Sequence, residues 1–260
     1  MVVNNSANNA VYTNYTYNAR RLMTSETMDW SSLTSPWAVT YGYNKFGHLL
    51  VQGYPGGVNV NYAPNALGQA TQAGSYATGV KYWPNGAINE FTYGNGIKHA
   101  LEQNARLLPE RSSDTYGSTA FLDDTYDYDQ NGNVLAITDA TTGNRGNRTM
   151  EYDDLDRLLT VTSPMYSATS PPGTMTFGYD VLDNITSVRA WNRTLKYCYD
   201  DGTNRLTMIR SPWNTSCTTG AATTALAYDV QGNVSSKNNT TYEFDFGNRL
   251  RSATDGTTST

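Results

Sequence analysis

One phrase recurs along this chain and constrains its fold more than any other feature. An aromatic residue is followed by Asp or Asn, then by a short run rich in Gly, Asn, Asp and Arg, then by an aliphatic residue. It reads Tyr43-Asn-Lys-Phe-Gly-His-Leu49, Tyr128-Asp129-Gln-Asn-Gly132-Asn-Val134 and Tyr152-Asp153-Asp-Leu-Asp-Arg-Leu158. It returns as Tyr179-Asp180-Val-Leu-Asp-Asn-Ile185 and Tyr228-Asp229-Val-Gln-Gly232-Asn-Val234. With Tyr82 included, the residue six places on is Leu49, Ile88, Val134, Leu158, Ile185 or Val234, aliphatic every time. Chance would produce that agreement about once in a few thousand trials. Looser copies run Tyr17 to Leu22, Tyr199-Asp200 to Leu206 and Phe244 to Leu250, with the turn read as shortened or lengthened by one in places. Repetition on this scale means an array of supersecondary units, and such arrays build surfaces and walls more often than active sites.

The chemistry of one copy predicts a β-hairpin. Tyr and its neighbours favour extended backbone. The Asp or Asn side chain accepts hydrogen bonds from N–H groups two residues on, and Gly, Asn or Asp tolerates the positive φ that a tight hairpin loop demands. The aliphatic residue begins the return strand. A Tyr at one fixed place per hairpin predicts a ladder of stacked rings across the sheet, each cross-strand pair contributing roughly 0.2–1 kcal/mol. The stretch Lys98–Leu108 has the composition of a short helix, but Gly94 and Gly96 precede it and Pro109 ends it. It reads as another strand pair.

Composition agrees. The 260 residues include 20 Tyr and 22 Gly, with only 16% charged residues. No apolar run reaches the roughly 18 residues that a spanning helix needs. A formal net charge of −5 argues against a nucleic-acid partner, which would need a clustered basic surface. The N-terminus shows neither a basic start nor an apolar stretch of the signal-peptide kind. Both ends suit a segment cut from a longer polypeptide at least as well as a complete protein. Cys198 and Cys217 stand 19 residues apart, and spacing leaves open whether they are bridged.

Tyr-Asp-x-x-Gly-Asn followed by an aliphatic residue, repeated about every 20 residues, resembles the YD repeat of the Rhs (rearrangement hot spot) family. The resemblance runs from about Tyr17 to Leu250. Segments such as Tyr82-Trp-Pro-Asn-Gly-Ala-Ile88 look like the bacterial Rhs core. It implies an all-β fold: antiparallel hairpins in a long curved sheet, part of a hollow shell that encloses a C-terminal toxin or other cargo. A complete shell takes many more repeats than are present. The Asp-Pro-x-Gly segment at which related proteins cut themselves is absent, so no catalytic residue carries over. The chain reads as one repeat segment over 1–260 with no separate toxin domain. The resemblance further implies a secreted or cell-surface bacterial setting. It makes the rest of an Rhs polypeptide, or its cargo, the expected partner.

Other candidate sites compete with turn architecture. Asp127-Tyr-Asp129-Gln-Asn131-Gly132 opens like an EF-hand loop, but Thr138 stands where the bidentate Glu belongs. The carboxylate pairs Asp123-Asp124, Asp153-Asp154 and Asp200-Asp201 cannot face each other across a sugar, since neighbours on a strand point to opposite faces. All three pairs read as turn residues. His48 takes the position that Asn holds in other copies. No nucleophile elbow, metal-ligand spacing or cofactor motif is present, so the chain reads as non-enzymatic and cofactor-free. Trp191 and Trp213 are candidate glycan-stacking residues, which makes a carbohydrate or cell-surface binding module the alternative function. Unpaired sheet edges and an apolar face predict self-association.

Overall fold

The computed structural model describes residues 2–4, 10–30, 37–141, 146–166, 173–190, 193–213, 215–219, 222–256 and 258–259. The strands among the described residues pair antiparallel, with one 3-10 turn among them at Pro164–Tyr166. Two compact units divide within the strand Thr119–Tyr128. No helix among the described residues is long and apolar enough to cross a membrane.

In the first unit, six strands from Val2–Asn4 to Asn59–Asn61 form one sheet in chain order. The strands Ala77–Tyr82, Ile88–Tyr93, Lys98–Gln103 and Pro109–Tyr116 then pair in succession, and the last also pairs with Thr119–Tyr128. Lys98–Leu108 is thus a strand and its turn, as its flanking Gly and Pro residues predict. In the second unit the strands from Val134–Asp139 to Thr258–Ser259 repeat the scheme, each bonded to its chain neighbours.

The period-2 pattern of the second unit sorts its side chains by face. Met150 lies opposite Val161, Val161 opposite Met175, Phe177 opposite Val188, Val188 opposite Leu195 and Tyr197 opposite Ile209, all on one side. The other side carries Thr149, Thr162, Thr174, Thr176, Arg189 and Lys196. Only Val60, Leu195 and Cys198 are fully buried apolar residues among those described. The apolar face is therefore half-covered, as expected of a single-layer sheet with no second layer packed on it.

The six-residue spacing of the repeat is a cross-strand pair. Tyr43 lies opposite Leu49, Tyr82 opposite Ile88, Tyr152 opposite Leu158, Tyr179 opposite Ile185 and Tyr228 opposite Val234. Phe244 faces Leu250, and Tyr199, with its turn longer by one, faces Leu206. At Tyr17 the reading needs correction. Its partner is Met23, again six on, and Leu22 belongs to an unshortened turn. The ladder slips by one residue beside most of these aromatics, for example between Glu151 and Tyr152 and between Gly178 and Tyr179. That is the bulge that follows a type I turn closed by a left-handed residue.

Candidate functional site

The sequence-predicted residues assemble into a chain of linked turns. In each turn but the longer one at Asp200, whose N–H reaches Arg205, the Asp or Asn donates its backbone N–H to the carbonyl four residues on, as in Asp153 to Arg157 (2.9 Å) and Asp180 to Asn184 (3.0 Å). Its own carbonyl accepts from the residue three on, which sits at positive φ: Gly132 at 98°, Asp156 at 60°, Asp183 at 66° and Gly232 at 94°. Its side chain then accepts backbone N–H groups inside the loop. Asp180 Oδ1 takes those of Leu182 and Asn184 at 2.8 and 2.9 Å, and Asp229 Oδ1 takes those of Gln231 and Asn233 at 2.9 Å each. Asp200 closes its longer loop through Thr203.

These bonds hold the carboxyls below their usual pKa. For Asp129, Asp180 and Asp229 the leading cause is the Asn side chain four residues on, for Asp153 it is Arg157, and for Asp200 it is Thr203. Asp245 falls to about 2, first through the Arg249 backbone N–H.

The fourth residue also reaches into the next hairpin. Asn133 Nδ2 binds its own Asp129 Oδ2 at 2.9 Å and Asp156 Oδ1 of the following turn at 2.7 Å. Arg157 bridges Asp153 and Asp183 while its guanidinium lies 4.7 Å from the centre of the Tyr179 ring. Asn184 joins Asp180 to Asn204, and Asn233 joins Asp229 to Asn248. His48 takes this position in the first unit, as the sequence suggests. Its ring lies against the Gly68 turn so closely that a Cβ there would stand 3.0 Å from it.

A second series of links runs through the tyrosine hydroxyls. Tyr152 donates to the carbonyl of Val134 (2.9 Å), Tyr179 to Leu158 (2.9 Å), Tyr199 to Ile185 (3.0 Å) and Tyr228 to Leu206 (2.8 Å). Each acceptor is the aliphatic residue that begins the previous return strand. It lies beyond the last inter-hairpin pair, Thr160 with Thr176 in the case of Leu158, so the hydroxyl serves a carbonyl that the ladder has left behind. Tyr43 donates to Met23 in the same way. The expected stack of rings is therefore replaced by hydroxyl links. Ring contacts among the described residues fall at Phe46, His48, Phe91, Tyr93 and His99. Burial raises the pKa of Tyr152, Tyr179 and Tyr199.

Two further turns share this geometry but lack an aromatic in front of them. Asn65 accepts from Leu67 and Gln69, and Asn104 from Arg106 and Leu108. Pro64 and Gln103 stand where the repeat has its aromatic, and of the two left-handed residues, Gly68 and Leu107, only Gly68 is a sequence signal for such a turn.

The other candidates separate. Asp129 spends both carboxylate oxygens inside its own turn, on Gly132 and Asn133. Asp153-Asp154 and Asp200-Asp201 are turn residues, as read from the sequence. Asp123-Asp124 is not. It lies in the strand Thr119–Tyr128, where Asp123 pairs with Arg111 at 2.7 Å and Asp124 is 2% exposed. No Gly or Asn follows that pair to open a turn, which explains the error. His99 lies in a strand with Nδ1 2.7 Å from Asp114. Cys198 and Cys217 are bridged, with Cα atoms 5.6 Å apart, and Arg210 donates to the Cys217 and Thr219 carbonyls of the same loop. Trp213 in that loop is 39% exposed, with the Arg189 guanidinium 4.5 Å from its ring centre. Trp191 lies outside the described residues. No cluster of three metal-ligating side chains occurs among the described residues.

The comparisons with known proteins agree with this architecture. The RHS Repeat family model matches residues 128–164. No curated protein matches the sequence. Among solved structures, the complex of TcdB2, TccC3 and Cdc42 contains a chain similar over 92% of this one, with a TM-score of 0.73 at 15% identity. The Tc holotoxin pore of Photorhabdus luminescens, in a TccC3 variant, matches over 94% with a TM-score of 0.70 at 14% identity. This chain spans 14% and 16% of the length of those two chains. Residues 128–164 thus carry an RHS repeat, and the fold on either side of it is that of these solved chains.

Proposed function

We propose that this chain is one repeat segment in the wall of an Rhs-type shell, that the shell encloses a toxin or other cargo, and that the segment is not itself catalytic. The observation that carries this reading is the threefold linkage between successive hairpins. From the Asp153 hairpin to the Asp180 hairpin, for example, a backbone ladder, a tyrosine hydroxyl and a turn-to-turn side-chain bond join one to the next. Such linkage makes a continuous sheet with one apolar and one polar face. It also occupies the Asp, Asn and Arg groups that an active site would need.

The partner on this reading is the remainder of a longer repeat polypeptide or its cargo, reached in part through outermost strands that offer free N–H and C=O groups. A second copy can use the same strand edges. A secreted or cell-surface bacterial setting fits the Cys198–Cys217 bridge, since disulfides persist in oxidising compartments. The test is proteolysis of the native polypeptide that carries this stretch. Its cargo resists protease when the wall is intact and is degraded when Tyr179→Ala and Tyr199→Ala open it. Cargo digested equally in both overturns the reading.

The alternative, a glycan-binding module, is favoured by the exposed Trp213 on the polar side of the sheet. Glycan-array binding that Trp213→Ala abolishes would select it over the wall.

A further inference from the structure

The hairpin tips of the second unit carry an apolar row that the turn chemistry does not require. Strands alternate in direction, so the turns that begin at Asp153, Asp180, Asp200, Asp229 and Asp245 all leave the sheet by the same edge. Within these turns, the tip residues contribute backbone N–H groups to the hydrogen bonds described above, and the side-chain bonds come from the other positions. In the five turns of the row the side chains at the tip take no part in those bonds, whereas Asn131, before the row, donates to Asp156 Oδ1 at 2.8 Å. At Asp201-Gly202, and at Gln130-Asn131 before the row, they are polar. At the other four tips they include Leu155, Val181, Leu182, Val230 and Phe246. Val181, Val230 and Phe246 are fully exposed, at 97, 102 and 100%.

With two strands per hairpin, the tips recur about every 10 Å and the row is about 40 Å long. Its five apolar side chains expose on the order of 700 Å², near the ~800 Å² per partner of a specific interface.

We propose that this row docks against the same row of a second copy, the two running antiparallel about a two-fold axis. A partner must present apolar knobs at the same ~10 Å period, and a second copy does so by construction. Charge favours the antiparallel sense. The first tip gathers Asp153, Asp154 and Asp156 against Arg157, and the last gathers Arg249 and Arg251 against Asp245. Antiparallel docking sets the acidic end against the basic end, Leu155 beside Phe246 and Val181-Leu182 beside Val230. The middle tip then meets itself, where Gly202 leaves room and Asp201 meets Asp201.

Sedimentation of the 260-residue chain tests this. A dimer is expected whose Kd rises at least tenfold in the Val230→Asp, Phe246→Asp double variant and falls in Asp201→Asn. If circular dichroism shows that the Asp variants misfold, Val230→Ser with Phe246→Ser takes their place with the same expected direction. A monomer at high micromolar concentration overturns the proposal. So does association of unchanged strength in the tip variants, which would assign it to strand edges. Binding of the row to neutral phosphatidylcholine vesicles without dimerisation overturns it in favour of a lipid surface. The proposal rests on the exposed tips and not on the enclosure of cargo, so its failure leaves the wall reading standing.

Discussion

At the scale of single residues, the repeat is a rule about backbone sign. The position that closes each turn is left-handed whether it holds Gly132 (φ 98°), Gly232 (φ 94°), Asn248 (φ 57°) or Leu107 (φ 63°). A side chain there costs roughly 1–2 kcal/mol unless it is Gly, Asn or Asp. Gly232→Ala is therefore expected to lower stability by about 1 kcal/mol in urea denaturation. Its new Cβ would also stand 3.2 Å from the Arg205 guanidinium. The exposed Leu107→Gly should go the other way, raising stability by up to about 1 kcal/mol. Gly232 was within reach of the sequence, since Gly and Asn recur at the same offset. Leu107 was hidden because its turn starts from Asn104 without an aromatic before it.

At the scale of the hairpin, the sequence showed which residue faces which, but not what joins one hairpin to its neighbour. The six-residue interval from Tyr179 to Ile185 is a cross-strand pair, and nothing else about it needed a structure. The bond from the Tyr179 hydroxyl to the Leu158 carbonyl spans 21 residues, and its loop length varies from repeat to repeat. No fixed spacing records it. Tyr179→Phe removes only that hydroxyl and should cost about 1 kcal/mol, since the Leu158 carbonyl loses its partner. Phe244 stands at the same place in its hairpin and has no hydroxyl to give. Phe244→Tyr is expected to add about 0.5–1 kcal/mol by thermal melting, with Val234 as the acceptor. A Phe244→Tyr variant no more stable than the parent would show that the link is particular to the hairpins that already have it.

At the scale of the whole molecule, the repeated carboxylates act together on pH. Asp129, Asp153, Asp180, Asp200, Asp229 and Asp245 all titrate below their ordinary range when folded. The unfolded chain takes up protons first as pH falls, so their contribution is complete above about pH 4 and is lost toward pH 2. Circular dichroism should report an unchanged fold at pH 5 and a cooperative loss below pH 4. Unfolding centred near pH 5 or above would show that other groups govern acid stability. The all-β class and the hairpin array were legible in the sequence because both depend on local pattern. The linked turns were not, because they arise only when twisted neighbouring hairpins bring residues such as Asn133 and Asp156 together. The hydroxyl links also have a direction, since each hairpin so linked is fastened by the tyrosine of the one that follows. During synthesis on a ribosome, a hairpin leaving the exit tunnel therefore stays unlatched until its successor has been translated, and the sheet matures one unit behind the growing end.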